Sequence, residues 1–297
     1  MIRIGTRDSV LALWQANKVK ALLEAEEHVC SIVKIKSKGD LILDKPLYEI
    51  GITGVFTKTL DSALLRNEID IAVHSMKDVP TLLPKGLVEF AVLERENPFD
   101  VLVKGPGGSN VIATGSLRRK AQWLHRYPNH EIVGIRGNIN TRMKKLASSD
   151  YVGAIFAKSG LMRTNILPKT AEVLDWMVPA PAQGALVIVG KSDDMALNKI
   201  VNKLNHHDSH LAVSIERAFL KTLEGGCSAP IGALAIVQGN KVRFTGIVNS
   251  LDGHTELKIE KTSEDARVEL GDLYAQELLM SGGKELMKEI KSMADEK

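Results

Sequence analysis

The sequence predicts an α/β protein: two similarly built lobes joined by two crossings, clamshell fashion, with a small α+β unit behind them. Three observations carry that expectation. First, Ile69-Asp70-Ile71-Ala72-Val73 is short and almost wholly apolar, and it gives way at once to His74, Ser75, Lys77, Asp78 and Pro80. That is the pattern of a parallel strand covered on both faces and ending in a polar turn. Second, a strand leading through a serine into a helix occurs twice, at residues 2–6 with Ser9 and at residues 111–114 with Ser116. Third, Arg95-Glu96-Asn97-Pro98 and Pro179-Ala180-Pro181-Ala182-Gln183-Gly184 break the chain at two places. Two crossings between two units are the layout of hinged proteins that hold a ligand in the cleft.

The elements follow in order. Residues 1–6 read as a strand, and Ser9 caps a helix over 10–24 whose Leu11, Trp14, Val19, Leu22 and Leu23 form one apolar stripe. Alternation predicts a strand at 30–36, then the loop Ser37-Lys38-Gly39-Asp40 and an irregular stretch at 45–54. An amphipathic helix over 56–66 turns at Asn67-Glu68 into the strand at 69–73, and another strand covers 87–93. The second lobe reads as strands at 101–103 and 111–114, a helix over 117–126 and a strand at 131–135. The loop Arg136-Gly137-Asn138, a helix over 141–147, a strand at 152–157 and a helix at 158–162 complete it. A strand at 185–189 and a helix over 195–204 then return to the first lobe. The last unit has a helix over 211–223, the loop 224–230, and antiparallel strands at 233–237, 241–249 and 255–262. Asp252-Gly253 makes the hairpin turn between the last two, and helices over 264–280 and 283–294 close the chain. The expected boundaries are 1–96 with 184–204, 97–183, and 205–297.

Composition narrows the function. The 297 residues are 44% hydrophobic with a net charge of +3, too small a charge to make nucleic acid the main partner. Residues 1–4 run straight into a strand without a cleavable apolar core, and no apolar run approaches the roughly 20 residues of a membrane helix. Two cysteines, Cys30 and Cys227, are too few for a disulfide scaffold. A cytoplasmic enzyme or binding protein with reduced thiols is expected.

The candidate residues sit at strand ends. Lys77 and Asp78 stand just past the carboxyl end of a strand, where open α/β sheets bind ligands, although an Asp two residues before a proline is ordinarily a turn residue. Arg7, Arg118, Arg119, Arg136 and Arg142 lie in strand-to-helix loops or first helical turns. Arginine is permanently charged and grips carboxylate or phosphate with two parallel bonds, and helix N-termini favour anions. Five arginines so placed predict an anion site in the cleft rather than a solvated surface. There is no Gly-x-x-x-x-Gly-Lys-Ser/Thr loop for a nucleoside triphosphate. Cys227, between Gly226 and Ser228, reads equally as an inconsequential loop thiol, a nucleophile or an attachment point. A Cys–His acyl-transfer enzyme would need His74, His206 or His207, which no spacing pairs with it; His206-His207 reads as a helix terminus favoured by its own dipole. No cluster has metal-ligand spacing, so no metal is expected.

These residues together identify a family. His74-Ser75-Met76-Lys77-Asp78-Val79-Pro80, Ser116-Leu117-Arg118-Arg119, Arg136-Gly137-Asn138 with Thr141-Arg142, Gln183-Gly184-Ala185 and Leu223-Glu224-Gly225-Gly226-Cys227 closely resemble porphobilinogen deaminase (hydroxymethylbilane synthase). Arg3-Ile4-Gly5-Thr6-Arg7-Asp8-Ser9 fits too, so the likeness spans nearly the whole chain. The resemblance implies two periplasmic-binding-protein-like domains and a third α+β domain. It implies a transferase that joins four porphobilinogen molecules head to tail with loss of ammonia, and a dipyrromethane cofactor held as a thioether on Cys227. It gives Asp78 the catalytic position. Lys77, Ser116, Arg118, Arg119 and Arg142 would bind the cofactor's acidic side chains beside Asp78, and Arg7, Ser9, Arg136 and Arg142 the incoming substrate. A monomer is expected. The family often has Gly-Lys-Gly where this chain has Ile52-Thr53-Gly54, with Lys58 as the nearby base. The competing expectation is a non-catalytic clamshell that binds an acidic small molecule.

Overall fold

The computed structural model describes residues 1–36, 57–223 and 229–295. Its first part runs β1 (Ile2–Thr6), α1 (Val10–Ala25), β2 (Cys30–Lys34), α2 (Lys58–Leu65), β3 (Ile71–Ser75) and β4 (Leu87–Val92). The second runs β5 (Asp100–Lys104), β6 (Val111–Ala113), α3 (Leu117–Arg126), β7 (Glu131–Val133), α4 (Ile139–Ala147), β8 (Gly153–Ala157), α5 (Lys158–Arg163) and β9 (Glu172–Leu174). Then come β10 (Leu186–Lys191), α6 (Met195–Val201), α7 (His207–Thr222), β11 (Ile231–Gln238), β12 (Lys241–Asn249), β13 (Glu256–Ser263), α8 (Glu269–Leu278) and α9 (Lys284–Asp295).

Two five-stranded sheets are built alike, in the orders β2-β1-β3-β10-β4 and β7-β6-β8-β5-β9. In each, the first three strands are parallel and the fourth is antiparallel to its neighbours. The antiparallel strand is the one that follows a crossing: β5 after β4, and β10 after β9. The apolar run that ends at the Lys77–Asp78 turn is therefore parallel to β1 on one side and antiparallel to β10 on the other, a mixed environment rather than a purely parallel one. Both faces are covered, as its composition requires. Ile71, Val73, Leu186 and Ile188 pack on one side with Ala16, Val19 and Leu23 of α1. Ala72, Val187 and Val189 pack on the other with Leu60 and Leu64 of α2. Each valine, leucine or isoleucine among them contributes about 1.5–3 kcal/mol on full burial. The second sheet does the same, with Val101, Val103, Ala154 and Phe156 on one side and Ile112, Ile155 and Trp123 on the other.

The two crossings press against each other. The Glu96 N–H donates to Gly184 O at 3.3 Å, and Arg95 Nε donates to Gln183 O at 2.9 Å. Gly184 has φ +92, and a Cβ there would lie 2.6 Å from Glu96 O, so only glycine lets these strands meet. The last unit stacks α7, α8 and α9 on the three-stranded sheet β11-β12-β13 around Phe219, Phe244 and Tyr274.

Several local expectations change. α7 starts at His207 rather than 211, because His206 is its N-cap: Nδ1 accepts from Ser209 N at 3.2 Å. His206-His207 thus opens a helix instead of closing one. The helix expected from 264 begins at Glu269, since β13 extends to Ser263 and a turn intervenes in which Asp265 N donates to Ser263 Oγ. β9 was not anticipated; three residues are too few to show a period.

Candidate active site

The β3 strand delivers the polar turn to one end of its sheet. Met76–Asp78 is a single 3₁₀ turn, held by Met76 N donating to Ala185 O at 3.0 Å and Val79 N donating to Met76 O at 3.1 Å. Buried Met76 and Val79 pin it from below, which leaves Lys77 half-buried and Asp78 exposed. Asp78 lines an open hollow of ≈ 60 Å³ together with Arg7, Ser9, Gln15, Thr57, His74 and Ser75. Arg7 and Ser9 come from the β1–α1 loop, where Ser9 Oγ also caps the helix by accepting from Ala12 N at 3.2 Å. Gln15 Nε2 donates to Ser75 Oγ at 2.6 Å and fixes that wall. His74 is buried, and burial together with the nearby Arg7 charge lowers its pKa to about 4. The neutral imidazole is therefore the favoured form at physiological pH.

Across the cleft, Ser116 caps α3 and places Arg118 and Arg119 in its first turn. Both guanidiniums meet Asp100, at the head of β5 and fully buried. Arg118 Nη2 donates to Asp100 Oδ2 at 2.7 Å, and Arg119 Nη2 to Asp100 Oδ1 at 2.8 Å. Arg118 Nη1 donates to Val178 O, and Arg119 Nη1 to Ile155 O. Burial alone would raise the Asp100 pKa, but the two arginines hold it far below the usual carboxylate range. Gln183 completes the set: Nε2 donates to Asp100 Oδ1 at 2.8 Å, while Oε1 accepts from Lys77 Nζ at 3.2 Å. One buried amide on the second crossing thus links the Lys77 turn to the arginine pair.

Further arginines enclose the same space. Asn138 caps α4, with Oδ1 accepting from Thr141 N at 2.9 Å, and Gly137 has φ +109, where a Cβ would strike Thr141 Cγ2 at 2.7 Å. That turn aims Arg142 inward, its Nε donating to Gly137 O at 2.7 Å. Burial lowers the Arg142 pKa to about 10, helped by the charges of Arg119 and Arg136 and opposed by Asp78. Arg163 on α5 donates to Glu96 Oε2 and Gly184 O, and it too feels the charge of Asp78. Lys77 has its pKa lowered to about 8, by burial first, with Asp78 and Asp100 opposing and Arg119 and Arg118 adding to the fall. Lys77, Arg118, Arg119, Arg136, Arg142 and Arg163 therefore outnumber Asp78, Asp100 and Glu96 within one electrostatic neighbourhood.

The structure brings most of the predicted site residues that are described into two connected groups, and Ser116 caps the helix that carries Arg118 and Arg119. Asp78, Arg7 and Ser9 share the hollow, and Lys77, Arg118, Arg119, Arg136 and Arg142 are linked by hydrogen bonds or charge. Cys227 and residues 52–54 lie outside the described residues. Asp100, Gln183, Glu96 and Arg163 were not singled out as site residues from sequence. A signal for Asp100 was present: a carboxylate heading the apolar run Val101-Leu102-Val103 must find cations, since burying it unpaired is prohibitive.

The family model described as "Porphobilinogen deaminase, dipyromethane cofactor binding domain" matches residues 2–199, and "Porphobilinogen deaminase, C-terminal domain" matches residues 210–280. The porphobilinogen deaminase of Pelobacter propionicus is 42% identical over 301 residues, 97% of this chain and 97% of its own. The chloroplastic porphobilinogen deaminase of Oryza sativa subsp. japonica is 43% identical over 304 residues, 95% of this chain and 84% of its own. Among solved structures, an ABC transporter periplasmic substrate-binding protein from Coxiella burnetii covers 73% of this chain and 97% of its own, at 11% identity and TM-score 0.42. Two alike α/β lobes with a small C-terminal sheet-and-helix unit are the fold the resemblance implied, and the family models and the full-length relatives favour the enzyme over a non-catalytic binding protein. With both family models and full-length relatives in agreement, the chain belongs to the porphobilinogen deaminase family.

Proposed function

We propose that Asp78 is the reacting carboxylate of this family's condensation of porphobilinogen. Lys77, Ser116, Arg118, Arg119 and Arg142 hold the acidic side chains of the dipyrromethane cofactor, and Arg7, Ser9, Arg136 and Arg142 hold the incoming substrate. The observation that carries the reading is the shared site of Asp78, Arg7 and Ser9 under a surrounding excess of guanidinium charge. The residues suit an acid-laden oligopyrrole. Each arginine has five N–H donors, so Arg118 and Arg119 keep some after binding Asp100. Arg118 Nε is buried without a hydrogen-bond partner among the described residues. When bound, the dipyrromethane supplies the free pyrrole carbon onto which the first substrate is added.

The chain's own groups then act as follows. Loss of ammonia from porphobilinogen leaves positive charge on its pyrrole ring. With the ring N–H beside it, Asp78 stabilises that charge, because opposite charges about 4 Å apart gain about 4 kcal/mol near a protein surface against about 1 in water. The ring that forms the new bond must lose a proton, and the same carboxylate is placed to accept it. Lys77 and the arginines neutralise the acetate and propionate groups, so each added unit is drawn into the cleft rather than repelled by its predecessors. We further assign residues 1–96 with 184–204, 97–183 and 205–297 as three domains, Cys227 as the attachment point, and a monomer working in the cytoplasm; buried Cys30 as a free thiol suits a reducing compartment.

The test is Asp78→Asn, which removes the charge at nearly constant shape. The variant is expected to keep its cofactor mass while kcat falls about 10²–10³-fold, equivalent to about 3–4 kcal/mol of transition-state stabilisation. Near-normal turnover would remove Asp78 from the chemistry.

A further inference from the structure

A buried arginine that the chemistry above does not use grips the Asp78 turn from behind. Arg217, in the middle of α7, donates from Nη1 to Val79 O at 2.9 Å and to Met76 O at 3.4 Å, and from Nη2 to Pro80 O at 2.6 Å. Glu89 on β4 lies 3.5 Å from the same guanidinium and balances its charge. The carbonyls it gathers flank Asp78 on both sides in sequence. Arg217 is only 8% exposed, so water does not compete for these bonds. The other hydrogen bonds of the turn are one backbone bond to Ala185, one internal bond and the Lys77 side-chain bond to Gln183.

The helix that carries this clamp is itself fixed. Glu216, next to Arg217 on the helix, is fully buried and accepts from Arg95 Nη1 at 2.6 Å, Ala182 N at 2.6 Å and Ala235 N at 2.7 Å. α7 ends at Thr222, and Cys227 follows shortly after it in sequence.

We propose that Arg217 is a positioning residue, holding the Asp78 carboxylate at a set place relative to α7. The proposal rests on the reading of Asp78 as the reacting carboxylate. Misplacing a reacting group by about 1 Å can cost about 10²-fold in rate, and a planar fork of donors is what gathers several carbonyls at once. Lysine keeps the charge for Glu89 but is a point charge on a flexible stem, so it cannot reproduce the grip.

The experiment places Arg217→Lys and Arg217→Met in the cofactor-loaded enzyme, each alone and combined with Asp78→Asn. Loading is checked by intact mass, folding by thermal unfolding, and turnover by steady-state and single-turnover rates. Alone, each substitution is expected to leave the cofactor mass in place and KM within about threefold, while kcat falls about 10–100-fold. In the Asp78→Asn background the same substitutions are expected to change the residual rate by less than about threefold, because no carboxylate remains to be positioned. Unchanged kcat in the single variants, or an equal fold-loss in both backgrounds, would overturn the proposal and leave Arg217 a purely structural residue. If Arg217→Met is insoluble, Arg217→Lys decides by the same criteria. Near-normal turnover of Asp78→Asn alone would instead overturn the reading of Asp78 itself.

Discussion

Arg118 and Arg119 show what a residue in this cleft has to satisfy. Two cations in the first turn of a helix oppose its dipole, which is why an anion was expected beside them. The fold supplies one of its own, Asp100, before any ligand arrives. The pair is therefore both a structural joint and a charged wall. Arg118→Leu leaves the fully buried Asp100 with one arginine, and removing a partner from a buried ion cluster typically costs about 3–5 kcal/mol. The variant is expected to unfold at distinctly lower denaturant and to purify without the cofactor mass; a stable, fully loaded Arg118→Leu protein would contradict this. The arginines were legible in the sequence because their positions at strand ends and helix starts carry meaning one residue at a time. Asp100 and Gln183 were harder to read, because their roles exist only once β5 and the second crossing lie beside α3.

At the scale of elements, caps and apolar stripes proved the readable features. Ser9 and Ser116 each accept a hydrogen bond from a backbone N–H of the helix they begin, whereas Asn138, expected in a loop before a helix at 141, caps α4 from Ile139. α7 was less readable at its start because a histidine serves as the N-cap, a job usually given to Ser, Thr, Asp or Asn. The strand partners of β3 were not legible, since an apolar run looks the same beside parallel and antiparallel neighbours. α2 yields a pH prediction. Asp61 is 4% exposed on this helix, and burial raises its pKa from 3.8 to about 6, opposed only in part by the Thr57 side chain. The folded state binds this proton more tightly than the unfolded chain, so stability falls as pH rises between about 4 and 6 and stays lower above that. Asp61→Asn is expected to raise stability at pH 7 by about 2 kcal/mol, with the gain vanishing below pH 4, in denaturant unfolding at several pH values. A gain independent of pH, or none at pH 7, would contradict the assignment.

Across the whole molecule, the design is two charged lobes joined at a double crossing, with a third unit bolted onto that joint. The crossings were legible because proline and polar clusters interrupt the apolar pattern there. The bolt was not: Glu216 sits among ordinary helical residues, and nothing in its neighbours says it is fully buried. It joins Arg95 of the first crossing, Ala182 of the second and Ala235 of β11. Glu216→Gln keeps the shape but leaves the Arg95 guanidinium without its counter-charge, and a loss of about 3–5 kcal/mol is expected in denaturant unfolding. A change below about 1 kcal/mol would show that the third unit is held by its apolar contacts alone.

The central claim is that this cleft, lined by guanidinium groups, works on an oligopyrrole chain tethered to Cys227. Intact-protein mass spectrometry of the freshly expressed wild type and of Cys227→Ser tests it most directly. The account predicts that the wild type is heavier than its sequence by a dipyrromethane unit and that Cys227→Ser has the bare sequence mass and no turnover. A wild-type protein that is active at its bare sequence mass, or an adduct that persists in Cys227→Ser, would contradict it.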